Sequence, residues 1–392
     1  MFTPPLYFDY AATTPVDASV AAEMTKCLTI DGNFGNPASR AHFYGWQAEQ
    51  VVEAARIHIA KLIGADAREI VFTSGATEAN NLAIKGCIEQ SRQQQVNGVN
   101  KNHIVTSQIE HKAVLDACKA LEQSDIHTTY VAPHTTGVTC VDDIASAITP
   151  HTALVSIMLV NNELGVINDI AAIGQLCQER GCLLHVDASQ ACGKMAIDVH
   201  ALHIDFLSLS AHKMYGPKGI GALFVKRSPK TVISAQIHGG GHERGMRSGT
   251  LPTHQIAGLG ECARLALKQL EADNAHYKAL NMHFLALMQP LSGWRVNAQG
   301  ALRVDNIINI AIEQVDGEVL LTLLDDIALS TGSACTSASV EPSYVLSAIG
   351  LPRALAHSSF RISFGRFTTK DDVTTLVEKI HQGVNTLRHS AV

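Results

Sequence analysis

The run Ser210-Ala-His-Lys-Met-Tyr-Gly-Pro-Lys-Gly places one lysine, Lys213, between an apolar stretch, Asp205-Phe-Leu-Ser-Leu-Ser, and a glycine-containing turn. An amine at the end of a buried strand gains reactivity when its surroundings lower its pKa, and it can then bond a carbonyl carbon. Ser210 and His212 beside it can hold a phosphate while Lys213 bonds a cofactor aldehyde; a solvated surface turn has the same composition. A second reactive group is Cys335, in Ser-Thr-Gly-Ser-Ala-Cys-Thr-Ser-Ala-Ser. That run has no helical apolar period and no bulky side chain to bury the thiol, so it reads as an exposed cysteine on a mobile loop.

Four further groups have chemistry within reach. Thr73-Ser-Gly-Ala-Thr-Glu follows a strand and opens a helix, where free amides attract an anion such as phosphate or simply form a capped end. Asp187, after Leu183-Leu-His-Val, emerges from a buried strand and needs a cationic partner or several hydrogen bonds. A protonated pyridine ring would serve, as would a structural ion pair. His111, after Glu110, can stack on a ring or be a satisfied structural histidine. Arg361 on a short apolar strand needs an anion, and a substrate carboxylate would take it in bidentate fashion. The stretch 239–250 combines five glycines with two arginines, so Arg247, Ser248 and Thr250 can reach a phosphate or a neighbouring subunit, or form a flexible surface loop.

These residues need a scaffold that brings strand ends together. Between about 69 and 226, β-rich apolar runs alternate with amphipathic stretches, the pattern of an α/β fold with a mainly parallel central sheet flanked by helices. Strands are expected at 69–73, 103–107, 153–158, 182–187, 205–210 and 220–225. Ligands gather at the carboxyl ends of such strands, so 73–77, His111, 161–163, 187–190 and 210–213 should converge on one cleft. Asp169 and Gly181 read as the start and stop of one covering helix. A longer helix from near Pro252 carries Ile256, Leu259, Ala263, Ala266 and Leu270 at helical spacing and bridges two units. Beyond it, strands at 306–312 and 360–364 and helices near 317–325, 342–349 and 370–388 form a smaller α/β unit that the N-terminal segment completes. The large domain is placed at 15–264. The small domain takes 1–14 and 265–392 and carries the cysteine loop, about 328–341. Residues 93–100 read as a polar loop.

A chain of 392 residues is long enough for two domains. Net charge is -6 without a basic cluster, which argues against extensive nucleic-acid contact and favours a small-molecule substrate. No apolar run is long enough to cross a bilayer and no leader precedes the fold, so a soluble, cytoplasmic protein is expected. Nine scattered cysteines show neither metal-site nor disulfide spacing, and all but Cys335 read as small buried hydrophobes.

Asp9-Tyr-Ala-Ala-Thr-Thr-Pro, Phe34-Gly-Asn-Pro-Ala-Ser, Thr73 to Glu78, Glu110-His-Lys, Val160-Asn-Asn-Glu, Val186-Asp-Ala-Ser-Gln, the lysine segment, Arg247-Ser-Gly-Thr and Gly332-Ser-Ala-Cys-Thr-Ser occur in order. Together they resemble the cysteine desulfurases of the NifS/IscS type, pyridoxal-phosphate enzymes of fold type I in the class V aminotransferase group, over nearly the whole chain. The resemblance implies pyridoxal 5'-phosphate bonded to Lys213, with Asp187 on the ring nitrogen, His111 stacked on the ring, and Asn162 and Gln190 at its face or phenolic oxygen. The phosphate falls to Ala76, Thr77, Ser210 and His212, with Thr250 from the other subunit of a homodimer. Arg361 with Asn36 and Asn162 takes the carboxylate of L-cysteine. Lys213 carries the α-proton, His111 is a candidate acid or base, and the Cys335 thiolate takes the sulfur as a persulfide. Acceptors are an iron–sulfur scaffold or a sulfur carrier serving transfer-RNA thiolation or cofactor synthesis. No resident metal is implied, only transient ligation of an iron–sulfur cluster by Cys335 in an acceptor complex. The chain stops at His389-Ser-Ala-Val, short of the tail that scaffold-feeding members commonly carry, which brings sulfur carriers forward as acceptors. A transaminase or lyase on the same cofactor, selenocysteine as substrate, and a noncatalytic sulfur-relay subunit are the alternative readings; the composition of the Cys335 loop argues against the first, and an intact Lys213 and Asp187 against the last.

Overall fold

The computed structural model describes residues 4–93, 100–330 and 342–390. Its strands, in chain order, are β1 (Leu6–Tyr7), β2 (Ile70–Thr73), β3 (His103–Ser107), β4 (His127–Val131), β5 (Thr152–Ser156), β6 (Leu183–Asp187), β7 (Phe206–Ser210), β8 (Gly221–Val225), β9 (Trp294–Val296), β10 (Ile307–Ile312), β11 (Ile327–Ala328) and β12 (Ser359–Ser363). The central sheet has the order β2-β8-β7-β6-β5-β3-β4. From β7 to β4 every pairing is parallel, whereas β8 runs antiparallel to both β7 and β2. The α/β class with a mainly parallel sheet therefore holds.

Helices cover both faces because their apolar stripes have nowhere else to go. One hydrophobic cluster joins the helices Phe43–Ile63 and Ile170–Arg180 to one face; another joins Ala76–Gln93 and Lys112–Glu122 to the other. The helix at 170–180 starts and stops as its sequence dictates. Asp169 accepts from the Ala172 amide, and Gly181 takes φ 68°, a left-handed conformation that costs glycine little.

The helix Thr253–Met288 is the structural bridge. Its first half, Ile256 to Ala266, packs into the large-sheet cluster, and its second half, Tyr277 to Met288, into a separate core. That second core holds Phe8 together with the sheet β12-β10-β9 and the helix Lys370–Ser390. The N-terminal segment completes this unit by pairing β1 in parallel with β11. Strand β4 was missing from the sequence reading, and the expected helix at 342–349 shortens to Tyr344–Ala348. Most of the polar run at 93–100 lies outside the described residues, as does Cys335.

Candidate active site

A cavity of about 780 Å³ opens at the carboxyl ends of β2, β5, β6 and β7. Ala76, Thr77, His111, Asn162, Asp187, Gln190, Ser210, His212, Lys213 and Arg361 all line it. Parallel strands aim their last residues the same way, and short connections then turn each chain back over the sheet edge.

Lys213 ends a short 3₁₀ turn that follows β7. Its Nζ donates to the carbonyls of Ala11 at 2.6 Å and Ala12 at 2.8 Å. The N-terminal segment is sewn to this turn by the Thr14 amide on the His212 carbonyl and by Thr14 Oγ1, which accepts from the Tyr215 amide. His212 Nδ1 meets Thr13 Oγ1 at 3.1 Å, and burial together with Lys213 pushes its pKa down to about 4, which keeps the ring neutral.

Asp187 ends β6 with a carboxylate that is 6% exposed. Asn80 Nδ2 donates to one oxygen at 2.8 Å and the Ser189 amide to the other at 2.9 Å. It forms no ion pair among the described residues, so a cationic ring atom is the partner its burial calls for. His111 caps the helix Lys112–Glu122, its Nδ1 accepting from the Ala113 amide at 3.1 Å. That bond leaves a neutral ring with its proton on Nε2, and burial holds the pKa below its ordinary value against the opposing pull of Asp187.

On the anion side, β2 leads through Gly75, at φ 153°, into the helix that begins at Ala76. The first-turn amides of that helix have no intrahelical acceptor, and Ala76, Thr77 and Glu78 line the cavity together with Ser210. A Cβ on Gly221 would stand 2.7 Å from the Gly75 Cα and 2.5 Å from the Leu209 carbonyl, so glycine lets β8 close under this cradle. Arg361, 4% exposed on β12, donates from Nη1 to the Asn162 carbonyl at 2.8 Å and from Nη2 to Asp9 at 2.7 Å. Its Nε and the nearby Asn162 Oδ1 are buried without partners, which is the pair of atoms a bound α-amino acid would satisfy.

The match of the class-V aminotransferase family model over residues 6–376 agrees with this constellation. The chain belongs to the class-V aminotransferase family. Within it, the chain is 54% identical over 98% of its length to the cysteine desulfurase IscS of Tolumonas auensis and 53% identical to that of Vibrio vulnificus, covering 94% of each relative. Among solved structures, a NifS-like protein superposes with a TM-score of 0.89 at 32% identity, covering 97% of this chain and all of that one. SspA in complex with cysteine gives 0.81 at 38%, covering 93% of this chain and 100% of that one. The cofactor of this class-V enzyme is pyridoxal phosphate. The residues fit it: the Lys213 amine for the aldehyde, a buried carboxylate with no ion pair among the described residues for the ring nitrogen, and a glycine-opened helix start for the phosphate.

Two expected residues stand elsewhere. Asn36 is exposed, its Oδ1 taken by the Ala38 amide, and Thr250 is exposed; neither lines the cavity of one chain. Arg247 does not line the cavity of one chain and pairs with Glu78 at 2.7 Å. Its loop is anchored by Glu243, which takes both guanidinium nitrogens of buried Arg56 and the Phe72 amide. Cys140 is half-buried, unlike the seven other described cysteines, which are buried as expected.

The sequence reading gave no individual role to four residues in or behind the cavity wall. Asn80 sits one turn after Thr77, on the same helix face, and that spacing is its only signal. Asp9, though part of a quoted motif, was not paired with Arg361. Glu163 accepts from Ser343 Oγ at 2.5 Å, and burial holds its pKa up to about 7. Lys194 is buried behind Gln190.

Proposed function

We propose that the chain removes sulfur from L-cysteine, leaving L-alanine and a persulfide on Cys335 that passes to acceptor proteins for iron–sulfur cluster assembly, transfer-RNA thiolation, or both. The observation that carries this reading is the convergence of Lys213, Asp187, His111 and Arg361 on one cavity in a chain so close to IscS enzymes. When bound, pyridoxal phosphate supplies an electron sink for the α-carbon. Asp187, held by Asn80 and Ser189, would take the ring nitrogen of the bound cofactor. Ala76, Thr77, Ser210 and His212 hold the phosphate, and Arg361 with Asn162 holds the substrate carboxylate. Lys213, held over the Ala11 and Ala12 carbonyls, carries the α-proton, and His111 Nε2 is poised as an acid. The Cys335 thiolate attacks the substrate sulfur, the Cβ–Sγ bond breaks, and the carbon skeleton leaves as alanine once protonated. Cys335 lies outside the described residues, and its assignment rests on Gly332-Ser-Ala-Cys-Thr-Ser.

The active form is a homodimer in this reading. Phe34, Tyr44, Phe43 and Trp46 form a chain of exposed rings spaced 5.2–6.2 Å apart, an apolar surface that a second copy would cover. Thr250, exposed and outside its own cavity, would then serve the partner's phosphate. The domain division at 15–264 against 1–14 and 265–392 is supported by the two cores that share the helix Thr253–Met288. No described helix is long and apolar enough to cross a membrane, and the eight described cysteines are free, in keeping with a cytoplasmic protein.

The direct test is to incubate the loaded enzyme with L-cysteine and a reductant and measure sulfide and alanine. Cys335→Ala should keep its yellow colour yet release no sulfide; undiminished release from that variant would end the persulfide reading.

A further inference from the structure

Lys194 is out of place for a lysine. Its side chain is buried behind the cavity wall, 8% exposed, with no carboxylate paired to it among the described residues. The groups acting on it are Lys213 and Arg361, both cationic, and the Cys192 thiol, whose own pKa burial pushes up. An ammonium in that setting is costly, and burial pushes its pKa down to about 7, toward the neutral amine. A methionine would fill the slot at no electrostatic cost.

The amine makes one short contact. Nζ donates to Gln190 Oε1 at 2.6 Å, and Gln190 Nε2 in turn donates to the Ala11 carbonyl at 2.8 Å. That same carbonyl accepts from Lys213 Nζ at 2.6 Å. A buried amide has two orientations of similar shape, and its neighbours decide between them. Here the Ala11 carbonyl demands an N–H and Lys194 supplies the matching donor to the oxygen. The amide nitrogen carries a second proton, which remains for the cavity that Gln190 lines.

We propose that Lys194 is a positioning residue: its amine locks the Gln190 amide so that the NH2 group serves Ala11 and the ring oxygen of the bound cofactor together. This rests on the reading of the cavity as a pyridoxal-phosphate site with Gln190 at that oxygen. The amine contributes through Gln190 and touches neither substrate nor cofactor. Removing it frees the amide to turn its oxygen inward, where it would face the ring oxygen lone pair against lone pair. A ring oxygen without its donor is more basic, so the visible band of the loaded enzyme should titrate at higher pH.

The test compares the loaded wild type with Lys194→Met, Lys194→Gln, Gln190→Ala and the double variant Lys194→Met/Gln190→Ala. In Lys194→Met the midpoint of the visible band should rise by roughly half a pH unit or more. Its kcat should fall about tenfold with KM for L-cysteine nearly unchanged, the pattern of a loss felt after substrate is bound. Lys194→Gln, which keeps a donor, should recover part of both. On the Gln190→Ala background the Lys194→Met change should add nothing. An unmoved band in a folded, loaded Lys194→Met protein overturns the proposal, and so does an equal shift on the Gln190→Ala background, since the lysine would then act by another route. A wild type that fails to take up pyridoxal phosphate overturns the cavity reading instead, and that outcome is visible before any variant is compared.

Discussion

Replacing Arg361 by lysine tests the substrate site at its most defined point. The arginine uses Nη1 on the Asn162 carbonyl and Nη2 on Asp9, leaving Nε buried and unpaired beside the unpaired Asn162 Oδ1. Lysine keeps a positive charge near Asp9, so that carboxylate is not stranded, but a single ammonium cannot serve three directions. The missing contact is one charge-assisted hydrogen bond to the substrate carboxylate, about 1.5–3 kcal/mol, which at 1.36 kcal/mol per decade is a loss of roughly 10- to 150-fold in kcat/KM. The carboxylate stays put while the α-proton and the sulfur move, so it is bound equally before and during reaction. The loss should therefore fall on KM, with kcat within about threefold. Initial rates of alanine formation across cysteine concentrations give both constants, and the visible band confirms that cofactor is loaded. A KM within twofold of wild type in a loaded variant would refute the role given to Arg361.

Three other perturbations have clear outcomes. Lys213→Ala should leave the cofactor without its covalent tether, so the loaded protein loses the visible band and the phosphate site alone retains the cofactor weakly, as gel filtration with absorbance detection would register. Glu243→Gln should destabilise the fold by about 3 kcal/mol, read as a lower urea midpoint, because Arg56, buried at 4% exposure, loses its buried carboxylate and keeps only the half-exposed Glu53 as a charged partner. Glu163 is an acid with a pKa raised from 4.5 to about 7, so the folded state holds a proton that the unfolded state has released between those values. Stability should therefore fall as pH rises from about 5 to 8, by about 3 kcal/mol from this group, and Glu163→Gln should flatten that part of the profile in urea titrations at several pH values.

The fold was legible where local chemistry decides local structure. Asp169 and Gly181 bracket a helix because one side chain can cap and the other residue can turn left-handed. Strand direction was less accessible: β8 reads like its parallel neighbours, since a strand buried on both faces is a continuous apolar run whichever way it points. Strand β4, His-Thr-Thr-Tyr-Val, escaped for the opposite reason. It is an edge strand with polar residues on its solvent side, and such a run is hard to tell from a loop. In the site, single residues with an evident appetite were found, such as Lys213, Asp187 and Arg361. Their partners were not, because Asp9 meets Arg361 across 352 residues of chain and no local pattern announces it.

Burial explains why those partners matter. A cofactor phosphate and a substrate carboxylate both bring negative charge, and a cavity that already held several ionised carboxylates would repel them. The cavity avoids this with groups close to neutrality: Glu163 holds its proton up to about 7, and Glu78 is committed to Arg247. Among the cations, Lys213 donates to two carbonyls and Arg361 gives one guanidinium nitrogen to Asp9. Asp187, at the end of β6, accepts from two donors. The resulting field is positive at the helix start and at β12 and negative at the end of β6.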